Sequence, residues 1–346
     1  MSFFDYSKEL VNDDLVKILD AIKKSSIAIE QKVNRAALDD IQGNTTSSSE
    51  NSSGDIQKKL DVISNDIMID LLTKTKCCSI LLSEENEDAI IIEPEFRGKY
   101  MIAFDPLDGS TNIDCNCCIG TIFSIYEDFN QEIGIQERVL KSGNDVICAG
   151  YILYGPATEL VITIDRKKEK NSVQKFTLDR ISNEYLYTGE IDISNKMKKI
   201  YSVNESNCAS WYQDIKEYVD QYKIENTKYT QRYIGSMVAD VHRTLLYGGM
   251  FGYPADKKNT NGKLRVIYEC FPISKIMEAA GGASIIGNFS KKRILDIVPS
   301  QIHEKTSIIM GSTEEIDKYV NILDLQGCKT PIKCDGHLSY DANTLL

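Results

Sequence analysis

The stretch FDPLDGSTNID, residues 104–114, carries three aspartates directly behind the apolar, β-prone run KYMIAF. Carboxylates do not belong at the end of a buried strand unless something meets their charge. Two more apolar runs end the same way: SILLS leads into Glu84 and Glu85, and RVIY leads into Glu269. In layered α/β proteins, strand ends are where sites are built. Four such carboxylates spaced about 5 Å apart would repel by roughly 3 kcal/mol per pair at an effective dielectric near 20, or about 20 kcal/mol over all pairs. That exceeds the net stability of a typical domain, so protons or cations must bind there. Oxygen-only donors suit Mg²⁺ or Mn²⁺. The three histidines, His242, His303 and His337, are scattered without the spacing of a zinc site.

The opening stretch also dictates local geometry. Pro106 restricts the backbone after Asp105, and Asp108-Gly109 is a turn signal. Asp105 and Asp108 can then face one ion, with the Leu107 carbonyl beside them. Gly109, Ser110 and Thr111 follow as small or hydroxylated residues opening a helix, whose free N–H groups can hold an anion. Cations on carboxylates next to a phosphate on backbone amides is the layout of metal-assisted phosphoryl transfer.

The remaining chain supports an α/β reading. Its 346 residues predict two domains or two fused subdomains. Residues 13–38 have apolar positions at helical spacing (Leu15, Ile18, Leu19, Ile22, Ile29, Val33), and so do residues 58–74 (Leu60, Ile63, Ile67, Leu71, Leu72). The polar, Ser-rich segment 43–55 between them predicts a mobile loop. AIIIEP, KYMIAF, TIFSIY, CAGYILYG and ELVITI predict strands, residues 165–200 outer hairpins, and residues 210–221 and 236–247 helices. IYECFPISKIMEAAGGAS predicts a strand ending in Glu269 and then a helix. A formal charge of −11 argues against a general nucleic-acid or anionic-membrane surface. No run approaches the roughly 18 apolar residues that span a bilayer. The N-terminus lacks the pattern of a secretory signal, so a cytoplasmic location and reduced thiols for the ten cysteines are expected.

The motif FDPLDGSTNID resembles the signature of the lithium-sensitive, metal-dependent sugar and inositol phosphatases. The longer stretches GDIQKKLDVISND, LLSEEN, IIEPEFRGKYMIAFDPLDGSTNIDC, RYIGSMVADVHRTLLYGGMFGYPADKK, NGKLRVIYEC and MEAAGGAS are similar to the fructose-1,6-bisphosphatase family in particular. The resemblance implies an αβαβα sandwich, with an N-terminal subdomain over 1–192, a C-terminal sugar-bisphosphate subdomain over 193–330 and a tail over 331–346. It implies hydrolysis of the 1-phosphate of fructose 1,6-bisphosphate with two or three Mg²⁺ (or Mn²⁺, Zn²⁺). The implied metal ligands are Glu84, Asp105, the Leu107 carbonyl, Asp108 and Glu269, with Asp55 joining when its loop closes. Asp61 and Glu85 match the pair that positions and deprotonates the attacking water. Gly109, Ser110 and Thr111 match the cradle of the 1-phosphate. Asn204, Tyr233, Tyr253 and Lys263 match the second phosphate site, Arg232 matches an arginine donated by a neighbouring subunit, and Arg265 lies near the metals. A homotetramer is implied.

Three departures stand out. Asn207 occupies a position where the family pattern has a tyrosine of the second phosphate site. Lys99 and Tyr100 match contacts to the phosphate of AMP, but Glu127 stands where an arginine is expected, so weak or absent AMP inhibition is expected. The loop over 43–55 lacks the aromatic residue found in regulated relatives, and Cys115, Cys117 and Cys118 crowd the metal loop. A sedoheptulose-1,7-bisphosphatase, or an enzyme accepting both sugars, is the alternative.

Overall fold

A computed structural model describes residues 1–43, 58–165, 172–196, 198–224 and 227–325. Strands β1 (Cys78–Ser83), β2 (Ile90–Ile91), β3 (Tyr100–Asp108), β4 (Ile119–Glu127), β5 (Val146–Tyr154), β6 (Thr158–Ile164), β7 (Val173–Asp179) and β8 (Glu184–Ile191) form one sheet in the order β2-β1-β3-β4-β5-β6-β7-β8. β1 and β3 pair in parallel and the other neighbours antiparallel. Every residue of β1 and β3 is buried, because layers cover both faces; this is why their sequences run apolar without alternation.

Helices α1 (Phe3–Leu10), α2 (Asp13–Arg35) and α3 (Lys59–Lys74) cover one face. Leu15, Ile18, Leu19, Ile22 and Ile29 of α2 pack with Leu60, Met68 and Leu72 of α3 against Leu81, Ile102 and Phe104 of the sheet. Asn12 starts α2 by accepting the Leu15 N–H at 3.0 Å. A short helix α4 (Ile135–Val139) lies between β4 and β5.

A second sheet contains β9 (Ile200–Ser202), β10 (Thr230–Gln231), β11 (Met250–Tyr253), β13 (Gly282–Ile285) and β15 (Ile308–Ser312) in the order β10-β9-β11-β15-β13. β12 (Leu264–Arg265) and β14 (Lys305–Thr306) form a separate two-stranded ribbon. Between the two sheets lie α6 (Met237–Tyr247) and α7 (Phe271–Ala279), whose Val238, Val241, Leu245, Ile273, Ile276 and Met277 pack against Ile80, Leu82 and Met101 on one side and Phe251 and Met310 on the other. Beyond the second sheet, α5 (Gln213–Asp220) and α8 (Thr313–Leu325) bury Ile215, Tyr218, Ile316 and Tyr319 against Tyr201, Met250 and Ile309. The order of layers is αβαβα. No helix among the described residues is long and apolar enough to cross a membrane.

Several local expectations change. The helix expected over 13–38 ends at Arg35, and α1 precedes it. Of AIIIEP only Ile90–Ile91 pairs. The buried face of α3 is Leu60, Asp61, Ser64, Asn65, Met68 and Leu72, leaving Ile63, Ile67 and Leu71 half-buried. The helix turns a polar edge inward because Asn65 accepts from Ser83 at 2.7 Å and donates to Asn86 at 2.9 Å, at the end of β1. Glu269 does not end a strand: β12 stops at Arg265, and Val266–Cys270 forms a single wide π-helical turn leading into α7. The expected outer hairpin appears as β7–β8. The mobile loop expected over 43–55, apart from Gly43, and the tail expected over 331–346 lie outside the described residues.

Candidate active site

The acid pocket is built by three chain reversals. β3 bulges between Asp105 and Asp108, where its register against β4 shifts. The Asp105 carboxylate accepts the Leu107 N–H at 2.8 Å, locking that bulge. Gly109 then turns the chain at φ 78°, and a Cβ there would lie 2.6 Å from the Ser236 Cβ, so both backbone angle and space require glycine. Ser110–Cys115 is the expected helical opening, but as a six-residue 3₁₀ turn. Asp108 is held from α6: its Oδ2 accepts from the Ser236 hydroxyl at 2.9 Å and from the Val238 N–H at 2.8 Å. The π-helical turn folds Glu269 back so that its carboxylate accepts the Arg265 N–H at 2.5 Å.

These reversals bring carboxylate oxygens of Asp105, Asp108 and Glu269 within 4.8 Å of one another, all three side chains buried. Burial holds Asp105 and Glu269 well above the usual carboxylate range, and the charge of Glu84 and Asp108 raises both further. Burial also raises Asp108, against its bonds to the Val238 N–H and Ser236. Glu84 is pushed up to about 7 by burial, with Arg265 opposing and Asp108 and Asp61 reinforcing the shift. Asp61 is pushed up to about 6 by burial, against the pull of the Lys58 N–H and the Ser110 hydroxyl. Its Oδ2 accepts the Lys58 N–H at 2.8 Å, while its buried Oδ1 has no hydrogen-bond partner among the described residues. A dry set of mutually repelling oxygen donors, plus an orphaned carboxylate oxygen, fits hard divalent cations.

Basic side chains share a cavity with two of these acids. The cavity, of about 200 Å³, is lined by Glu84 and Glu269 together with Lys263, Arg265 and Lys305. Arg265 and Lys305 are directly opposed across β12 and β14, so their side chains leave the same face. Gly262 turns into this ribbon at φ 79°, and a Cβ there would meet the Thr306 carbonyl at 2.4 Å. Sequence reasoning missed Lys305, since only strand pairing joins it to Arg265 from forty residues away.

The other expected anion site lies at the ends of three strands. β10, β9 and β11 are adjacent and parallel, with Gln231 opposite Tyr201 and Phe251 opposite Ser202. Tyr253 ends β11, Asn204 stands just past β9, and Arg232 and Tyr233 just past β10. Burial pushes the Tyr233 phenol up, and the neighbours that add to the shift are Tyr253, Asp240 and Asp108. Arg232 and Lys263 are exposed. Glu85 is half-buried, with its N–H on the Ser83 hydroxyl at 3.2 Å. Thr111 is exposed, and Asp55 lies outside the described residues.

Comparison with known proteins shows the family to which the chain belongs. Residues 4–190 match the family described as "Fructose-1-6-bisphosphatase, N-terminal domain", and residues 194–324 the corresponding C-terminal domain. The chain is 44% identical over 315 residues to fructose-1,6-bisphosphatase 1 of Mus musculus, covering 89% of each chain. It is 47% identical over 289 residues to the cytosolic fructose-1,6-bisphosphatase of Spinacia oleracea, covering 82% of each. The structure of Leishmania major fructose-1,6-bisphosphatase in holo form superimposes with a TM-score of 0.87 at 38% identity, covering 94% of this chain and 99% of that one. With both family domains matched in sequence and the whole fold matched in space, the chain belongs to the fructose-1,6-bisphosphatase family.

Proposed function

We propose that the acid pocket hydrolyses the 1-phosphate of D-fructose 1,6-bisphosphate to fructose 6-phosphate and phosphate. The observation that carries this reading is the buried trio Asp105, Asp108 and Glu269, whose Glu269 also lines a cavity with Glu84, Lys263 and Arg265. Glu84, Asp105, the Leu107 carbonyl, Asp108 and Glu269 would hold two or three Mg²⁺, with Asp55 joining from its loop. Bound Mg²⁺ supplies charge neutralisation of the phosphoryl group and of the departing sugar oxygen.

The chain's own groups do the rest. Asp61 and Glu85 orient the attacking water and take its proton; a carboxylate raised to about 6 is a better base near neutral pH than an ordinary aspartate. Backbone N–H groups of Gly109, Ser110 and Thr111 hold the 1-phosphate. Arg265 counters charge beside Glu84. Asn204, Tyr233, Tyr253 and Lys263 hold the second phosphate, together with Arg232 of a neighbouring copy in a homotetramer. The named spinach relative is cytosolic, and we place this chain in the same compartment. We place the subdomain boundary between 192 and 193, with a tail from 331.

A specific observation favours reduced AMP control. Lys99 already pairs with Asp14 at 3.0 Å, the Tyr100 hydroxyl accepts from Asn12 at 2.8 Å, and Glu127 lies directly opposite Tyr100 in the β3–β4 ladder. An AMP phosphate placed there would meet a carboxylate. Asn207, half-buried beside the strand ends where the family pattern has a tyrosine, is the observation behind the alternative of a dual-substrate enzyme or a sedoheptulose-1,7-bisphosphatase.

The test is phosphate release from both sugar bisphosphates, with Mg²⁺, with chelator and with AMP. Preference for the fructose substrate, abolished by chelator and little affected by AMP, is expected. Comparable rates on both sugars would establish the dual-substrate reading, and no release from either would overturn the proposal.

A further inference from the structure

Asp240 sits in the first turns of α6, fully buried, and its carboxylate hydrogen bonds among the described residues go to Ser202, Ile234, Gly235 and Arg243 rather than to side chains assigned above to chemistry. Its carboxylate nevertheless gathers the backbone that presents them. Oδ1 accepts from the Ser202 hydroxyl at 2.9 Å, two residues before Asn204. Both oxygens accept the Ile234 N–H at 3.0 Å, and Oδ2 accepts the Gly235 N–H at 3.0 Å, directly after Arg232 and Tyr233. Gly235 has φ 86°, so this loop is a sharp turn whose two consecutive N–H groups converge on one anion.

The charge is balanced inside the fold. Arg243, one turn along α6, bonds Oδ1 at 2.8 Å through Nη1 and the Asp240 carbonyl at 3.2 Å through Nη2. The carboxylate therefore does not stand as a bare negative charge beside an incoming phosphate. One turn before Asp240, the same helix holds Asp108 through Ser236 and Val238. The start of α6 thus fastens the acid pocket with its N-terminal groups and the strand-end pocket with a side chain.

We propose that Asp240 is a positioning residue for recognition of the second phosphate, clamping the Arg232–Tyr233 loop to the end of β9 so that Asn204 and Tyr233 converge. This rests on the function proposed above. An asparagine at 240 has the same shape but one acceptor oxygen, and its amide group would turn donors toward the Ile234 and Gly235 N–H groups. The loop would then lose its anchor while Asp105, Asp108 and Glu269 keep theirs.

The experiment compares wild type, Asp240→Asn and Ser202→Ala on fructose 1,6-bisphosphate and on fructose 1-phosphate, which lacks the second phosphate. Inhibition by fructose 6-phosphate is measured in parallel. For Asp240→Asn we expect KM for the bisphosphate to rise about tenfold or more and the fructose 6-phosphate inhibition constant to rise with it, on the scale of one lost charge-assisted bond. Activity on fructose 1-phosphate should change less than about threefold. Ser202→Ala, which keeps the carboxylate, should shift the same quantities in the same direction by a smaller factor, and it decides the question if Asp240→Asn does not fold. Equal losses on both substrates, or unchanged inhibition by fructose 6-phosphate, would overturn the positioning role. Failure of the wild type on the bisphosphate would instead overturn the function on which it rests.

Discussion

The two ends of the β3–β4 pair show how differently one fold treats buried acids. At one end, just past β4, Asp128 is nearly inaccessible and bonds Arg138 through both carboxylate oxygens, at 3.0 and 2.6 Å, with the Ser79 hydroxyl as a third partner. Burial alone would raise its pKa, but the guanidinium and the hydroxyl outweigh it and hold it below the usual range. At the other end Asp105 and Asp108 are just as buried, yet their neighbours are Glu84 and Glu269, and both are raised. One end carries its own cation and is structural. The other leaves the cation to be supplied, which is what a site for exchangeable metal and anionic substrate requires.

The sharpest way to break this contrast is to remove an acid from each end. Glu269→Gln should lower kcat/KM for fructose 1,6-bisphosphate by about 10³-fold or more, read by phosphate release, because under the proposed function it removes a metal-ligating carboxylate and weakens transition-state charge stabilisation. The same variant, measured by chemical denaturation in chelator, should be no less stable than wild type, since it relieves repulsion. Asp128→Asn should do the reverse. It should cost about 3–5 kcal/mol of stability by leaving Arg138 buried without its counter-charge, while the folded enzyme keeps kcat within about threefold. If Asp128→Asn abolished activity without loss of stability, the division of roles would be wrong.

Cation binding separates the ends more gently. Mg²⁺ at about a hundred times its dissociation constant should stabilise the wild type by about 2.7 kcal/mol, seen as a rise in Tm, and should stabilise Glu269→Gln less.

A smaller effect is expected at a half-buried carboxylate, Glu159 on β6. Its Oε2 meets His242 Nε2 of α6 at 2.9 Å, and its Oε1 meets Lys175 of β7 at 2.5 Å. The hydrogen bond from His242, against burial and helped by Lys175, lowers Glu159 to about 2. A depressed carboxylate contributes stability that is present above its ordinary pKa and lost as pH falls toward the folded value. Glu159→Gln should therefore cost about 2 kcal/mol at neutral pH and flatten the stability profile between roughly pH 4.5 and 2. An unchanged acid limb in a denaturation series would show that the pair contributes nothing.

Much of the site was legible because its local chemistry is written contiguously. Asp105-Pro-Leu-Asp108-Gly109 contains its own bulge, turn and glycine, so two carboxylates must converge wherever the strand lies. Glu84 was legible as an acid placed after a run too apolar to be anything but buried. Glu269 was assigned to the right place for the wrong reason. The run RVIYE has no alternation, so a buried strand and a wide helical turn look alike in sequence; the Arg265 N–H on its carboxylate decides between them. The buried face of α3 misled for a related reason. Apolar periodicity pointed to Ile63 and Ile67, whereas the hydrogen bonds of Asn65 to the end of β1 set which edge turns inward.

By itself, then, the sequence determined an α/β chain with acids at apolar ends and a turn that brings Asp105 and Asp108 together, because those features depend on neighbours a few positions apart. Tertiary structure alone decided the rest. Lys305 reaches the cavity wall only because β14 pairs with β12, and Ser236 reaches Asp108 only because α6 is packed between two sheets. Asn204, Tyr233 and Tyr253 stand at neighbouring strand ends only because β10, β9 and β11 run parallel. Contacts across dozens of residues carry no local periodicity, and the free energy that selects them comes from burying the whole set of layers at once.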